Sequence, residues 1–127
     1  MARFRPILVR NGITEQQWRV IRALAEDNGQ ESAELAQRTL ILRPSMTGII
    51  DRLERDELVQ RRKDSEDGRK TCIWLTRKAR RLYERMMPEV VAEYRQLQDE
   101  LGGKSWEELY QSLFHLIELN DASANTH

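Results

Sequence analysis

Apolar residues recur along this chain in two rhythms, one of helices and one of strands. Trp18, Ile21, Leu24 and Ala25 follow helical spacing. Thr14 and Gln17 open that helix as a capping box, Ile13 is placed to staple onto Trp18, and Asn28-Gly29 closes it. Ser32 is expected to cap a short second helix through Arg38, burying Ala33, Leu35 and Ala36. A third helix is predicted from Pro44, a residue suited to a first helical turn. Its apolar positions Met46, Ile49, Ile50 and Leu53 form one narrow stripe, opposite Ser45, Thr47, Gly48, Asp51, Arg52 and Arg55. The period then changes. Val59–Lys63 and Lys70–Leu75 read as short strands joined by a turn-rich, charged tip, Asp64–Arg69. Thr76 caps a long helix carrying Leu82, Tyr83, Met86, Met87, Val90, Tyr94, Leu97 and Leu101, with a bend predicted at Pro88. Gly102-Gly103 is expected to break it. Ser105 and Glu108, a second capping box, would then open a last helix bearing Trp106, Leu109, Tyr110, Leu113, Phe114 and Ile117.

Three compact helices followed by a hairpin describe a winged helix-turn-helix. The expected fold is therefore mainly α with a small β-hairpin wing, in one domain spanning 1–127. Within it, 14–76 would be the winged helix-turn-helix, and 1–13 with 77–120 the flanking dimerisation helices. Those flanks carry more apolar surface than so small a module covers. Leu116 and Leu119 widen the last helix's apolar face further, which suits a partner subunit and predicts a homodimer.

Composition narrows the setting. A chain of 127 residues buries a core without disulfides or a structural metal, and Cys72, its single cysteine, excludes an internal disulfide. No apolar run is long enough to span a bilayer, and no signal-peptide pattern opens the chain, so a soluble, cytoplasmic protein with no membrane partner is expected. The formal net charge is zero, but it is unevenly spread. From Arg38 to Arg81, thirteen Lys and Arg face seven Asp and Glu, giving +6; from Leu82 onward the balance is −6. A basic centre joined to an acidic tail is an electrostatic footprint for phosphate on part of the surface.

That footprint coincides with the helix-turn-helix. On the outward face of the Pro44 helix, Ser45 and Thr47 are short donors, and Arg43 and Arg52 suit guanine edges or phosphates. Gly48 permits close backbone approach, either to DNA or to a neighbouring helix. Asp51 is repulsive near phosphate unless it accepts from a cytosine or holds an arginine. At the tip, Arg69 is the candidate for the minor groove, with Arg62, Lys63 and Lys70 near phosphates. Asp64 or Asp67 would cap the turn and orient Arg69. Cys72 reads as a packed or half-exposed residue, with redox sensing as the alternative. No metal-ligand spacing, phosphate loop or nucleophile elbow is present, so neither a cofactor nor an enzyme is expected.

The stretch ILRPSMTGIIDRLERDELVQRRKDSEDGRKTCIWLT, Ile41 to Thr76, resembles the MarR family of bacterial transcription regulators. The resemblance rests on the Leu-Arg-Pro-Ser entry to the third helix, the RLERDELVQRR exit into the wing, and Asp67-Gly68-Arg69 at the tip. It extends from about Ile13 to Leu119. ILRPSMTGI and TEQQWRVIRAL are most similar to the subgroup regulating homoprotocatechuate degradation. The resemblance implies a homodimer on pseudopalindromic double-stranded DNA, repressing an aromatic-acid operon and released by a small aromatic carboxylate. For that effector, Trp18 offers a flat wall, Arg19 and Arg22 offer carboxylate-binding forks, and Phe4 with Arg5 would complete the pocket. The family's first helix is usually longer than the segment before Asn11. Two alternatives remain open on the residues: a winged-helix module that binds protein, and a regulator answering oxidation or another signal.

Overall fold

The computed structural model describes the backbone of residues 3–125 and the surroundings of side chains over 3–100 and at Gln111. Its element order is α1 Arg5–Arg10, α2 Glu15–Glu26, β1 Gln30–Glu31, α3 Ser32–Thr39, α4 Arg43–Arg55, β2 Val59–Lys63, β3 Thr71–Leu75 and α5 Arg77–Asn125. The chain divides into two units, Met1–Val90 and Val91–His127.

In the first unit, Asn11 closes α1 by donating from Nδ2 to the Ile7 carbonyl at 2.7 Å, and Gly12 turns the chain at φ 66°. The capping box then starts α2. Thr14 Oγ1 accepts from the Gln17 amide at 3.1 Å, and Gln17 Oε1 accepts from the Thr14 amide at 3.0 Å. The helix stops at Glu26, two residues before the Asn28-Gly29 signal. Gln30 secures that end: its buried Nε2 donates to the carbonyls of Ala23 and Asp27, at 3.1 and 2.6 Å.

β1 was not foreseen, because two polar residues carry no alternation to detect. It pairs antiparallel with β3, Gln30 opposite Ile73 and Glu31 opposite Cys72. This strand also moves the cap of α3. Extended Glu31 is the N-cap, its amide donating to Glu34 Oε1 at 3.2 Å, and Ser32 is the first helical residue rather than the cap. α3 ends at Thr39, and its C-cap, Leu40, takes the left-handed conformation at φ 59°. α4 begins one residue before Pro44, with Leu42 as its N-cap. β2 has the expected bounds and pairs with β3 over five residues, from Val59 opposite Leu75 to Lys63 opposite Thr71. β3 starts at Thr71, not Lys70, giving a sheet ordered β1-β3-β2.

One core holds this unit together. Val20, Ile21 and Leu24 of α2, Leu35 of α3, Met46, Ile50 and Leu53 of α4, and Val59 and Ile73 of the sheet are buried in it, with Ala79, Leu82, Met86 and Val90 of α5. Thr76 joins sheet to helix: its Oγ1 accepts from the Ala79 amide at 3.1 Å and donates to the Glu57 carbonyl at 2.7 Å.

The expected break at Gly102-Gly103 is overturned. α5 continues through both glycines to Asn125, so Ser105 and Glu108 open no separate helix. Each glycine costs roughly 1 kcal/mol against alanine, which weakens a helix without ending it when the flanks are good helix formers. Pro88 likewise lies inside α5. The apolar stripe expected from Trp106 to Ile117, with Leu116 and Leu119, lies outside the residues whose side chains are described.

Candidate nucleic-acid interface

The buried stripe of α4 fixes what the helix shows to solvent. Met46, Ile49, Ile50 and Leu53 are buried, so Arg43, Ser45, Thr47, Gly48, Asp51 and Arg52 are exposed together. A Cβ added at Gly48 would meet nothing within 4 Å, so no neighbouring helix approaches it among the described residues. Of the two uses open to that glycine, close approach from outside the chain remains.

Asp51 does hold an arginine, one that the sequence had not singled out. Arg61 Nη2 lies 2.6 Å from Asp51 Oδ1, and its Nη1 lies 2.7 Å from Glu54 Oε1. Asp51 and Glu54 are three residues apart on α4 and so share a face, which lets one planar guanidinium bridge both. Alternation along β2 explains why Arg61 makes the bridge: it shares a face with Val59, which is buried, while Gln60 and Arg62 point the other way. The hydrogen bond that Arg61 donates to Asp51 raises the Arg61 pKa, with the charges of Glu54 and Asp51 adding to it against a lowering by burial. The bridge ties up both acids in the middle of α4 and offsets one of their two negative charges. Arg43, Arg52, Lys63 and Lys70 have no ion pair with any described residue and keep their charge for an outside anion.

At the tip, the acids serve the backbone. Asp64 Oδ1 accepts from the Glu66 amide at 2.9 Å, and Asp67 Oδ1 accepts from the Arg69 amide at 3.0 Å. Arg69 Nε comes within 3.7 Å of the same carboxylate, yet the side chain is 97% exposed. Exposed pairs of this kind contribute little stability, so Asp67 orients Arg69 without occupying it. Lower on the wing, the Arg62 guanidinium stacks over Trp74, 5.7 Å from the ring centroid. Trp74 rests on Gly29, where an added Cβ would lie 2.4 Å from the ring. Asn28 Oδ1 also accepts from the Leu75 amide at 2.9 Å. The wing is thus anchored to the turn after α2. Cys72 is half-buried, and burial, followed by the nearby charges of Asp64, Glu31 and Glu34, pushes its thiol pKa up. That is the opposite of a reactive cysteine.

A model of the MarR family matches residues 13–71. The homoprotocatechuate degradative operon repressor of Escherichia coli is 45% identical over 118 residues, which are 93% of this chain and 77% of that protein. The chain belongs to the MarR family. The transcriptional regulator FarR of Neisseria gonorrhoeae is 43% identical over 122 residues, 96% of this chain and 84% of that one. Among solved structures, NadR in complex with 4-hydroxyphenylacetate is 43% identical and superposes with a TM-score of 0.76, covering 91% of this chain and 82% of NadR. This MarR-family chain is accordingly a transcription regulator and not an enzyme. None of its helices is long and apolar enough to cross a membrane, among the described residues.

The MarR-family chain distributes the four effector candidates over two places. Trp18 is buried and stacks on Tyr83 of α5, ring centroids 5.7 Å apart and planes 27° apart. Phe4 packs against the same core. Arg19 turns away, its Nη2 on Glu15 Oε1 at 2.8 Å and its Nη1 on the Thr39 carbonyl at 3.3 Å. Arg22, one helical turn after Trp18, lines with Arg19 a cleft of about 730 Å³ that also borders Glu26, Asp27 and Arg38. Neither Trp18 nor Phe4 lines that cleft.

Proposed function

We propose that this regulator acts in the cytoplasm as a homodimeric repressor of an aromatic-acid catabolic operon, binding a pseudopalindromic operator and released by a small aromatic carboxylate. The Arg61 bridge is the observation that carries the DNA part: with Asp51 and Glu54 held by one guanidinium and half of their charge offset, the exposed cations of α4 are left to meet phosphate. In this reading α4 enters the major groove with Arg43, Ser45, Thr47, Gly48 and Arg52. Arg69 enters the minor groove, and Arg62, Lys63 and Lys70 meet phosphates. Residues 1–13 and 77–120 build the dimer, setting two α4 helices roughly 34 Å apart on one face of the duplex.

The effector class is supported by two relatives: one is named as a repressor of homoprotocatechuate degradation, and NadR was solved with 4-hydroxyphenylacetate. Arg22 is the cation offered to the carboxylate, with Arg19 on the same cleft, while Trp18 and Phe4 offer aromatic surface from the core, outside that cleft. A ligand releases DNA only if it binds the DNA-incompetent state more tightly. The test is a titration of labelled duplex carrying the promoter upstream of the regulated operon. Two chains per duplex are expected, with affinity falling steeply as salt rises, by counterion release, and with release by 4-hydroxyphenylacetate. Salt-independent binding would refute the phosphate-facing surface, and release by no aromatic acid would refute the effector class alone.

A further inference from the structure

Two of the four large apolar side chains exposed among the described residues stand at the mouth of α4: Leu40, 45% exposed, and Leu42, 75% exposed. Leu42 is the N-cap of α4 and makes no side-chain capping bond. An N-cap favours Ser, Thr, Asp or Asn, whose oxygen accepts from the second or third helical amide. Here the second residue, Pro44, has no N–H, and the third, Ser45, already donates its amide to the Leu42 carbonyl at 3.0 Å. A polar cap would have little left to bond, so the position is released for another use. Burial is not that use. Around Leu42 the exposed residues are Arg43, Ser45 and Thr47, with Pro44 and Gly48 one turn apart and bearing no polar group. Apart from Leu40, the exposed residues that flank Leu42 are a cation and hydroxyl-bearing or small side chains, so Leu42 stands as an exposed apolar group in a polar, basic setting.

We infer that Leu42 reads a thymine, seating its side chain against the 5-methyl group in the major groove. The inference rests on the DNA-binding reading above and adds a residue to it. The first turn of a recognition helix is the part that approaches base edges. The thymine methyl is the apolar mark on those edges. Arg43, adjacent in the chain, supplies the charge that holds the backbone close.

Duplexes enriched by the full chain from a randomised pool supply the probe. Each thymine of the half-site is replaced in turn by deoxyuridine, which removes the methyl and nothing else. At one position the parent protein loses affinity about fourfold per half-site, the worth of roughly one buried methyl group. Leu42→Ala binds the two duplexes alike; its thermal unfolding matches the parent's, because the side chain is exposed. If the parent ignores every replacement, the inference is overturned and DNA binding stands. A loss that persists in Leu42→Ala also overturns it, by assigning the methyl to another residue. Enrichment of no duplex removes the DNA-binding reading and this inference together.

Discussion

On α4, two acidic side chains are held by a cation reaching over from the neighbouring strand; at the wing tip two are taken up by the backbone of their own loop. Asp51 and Glu54 sit on a helix whose interior amides are already bonded, so only a side chain, Arg61, is available to them. Asp64 and Asp67 sit in a turn with amides to spare, and those of Glu66 and Arg69 claim them. Two carboxylates in each place therefore leave different surfaces. The helix keeps its acids tied to Arg61 beside Arg43 and Arg52, which make no ion pair with any described residue, and the tip becomes a backbone-bonded loop carrying one projecting arginine. An acid in a basic region is to be judged by whether the local backbone has donors left over.

Substitutions can break this contrast or sharpen it. The largest effect is expected from Gly29→Ala, which combines a φ of +77° with a Cβ driven into the Trp74 ring. It should cost about 2–3 kcal/mol in urea unfolding and, through Arg62 on the same ring, weaken wing contacts before α4 contacts. Parent-like stability would mean that the wing is not anchored there. Arg61→Ala comes next. It should leave two unpaired carboxylates beside phosphate and reduce operator affinity by roughly 1–2 kcal/mol at low salt, an effect that shrinks as salt rises. An unchanged affinity in fluorescence anisotropy would show that the bridge does not shape the binding face. Arg69→Ala should weaken binding to specific and unrelated duplexes alike and lower the salt slope by about one. A selective loss at the operator would instead make the tip a reader of sequence. The smallest effect is a gain: Glu57 holds a left-handed φ of 60°, and Glu57→Gly should raise stability by about 0.5–1 kcal/mol, seen as a higher midpoint in the same urea series.

What was legible in the sequence was whatever is encoded locally. The Thr14–Gln17 box, the stripe of Met46, Ile49, Ile50 and Leu53, and the bounds of β2 are read directly from spacing, because side chains three, four or two positions apart must share a face. β1 was not legible. Its two residues, Gln30 and Glu31, become a strand only because β3 lies alongside. Nor was Arg61, since its partners come from another element and only the folded chain brings β2 against α4. The Gly102-Gly103 signal misled for the converse reason: a local preference of modest size gives way to a long run of helix formers.

The order β1-β3-β2 has a consequence for how these molecules behave in a crowd. β3 is hydrogen-bonded to a strand on both sides, whereas β2 has a strand partner on one side only among the described residues. Such an open strand border is a template on which a second copy can add its own strand, the first step of ordered aggregation. β2 ends in Arg61, Arg62 and Lys63, and an identical strand brought alongside would set like charges against each other. Before any duplex arrives, the same cations keep one wing from zipping onto another.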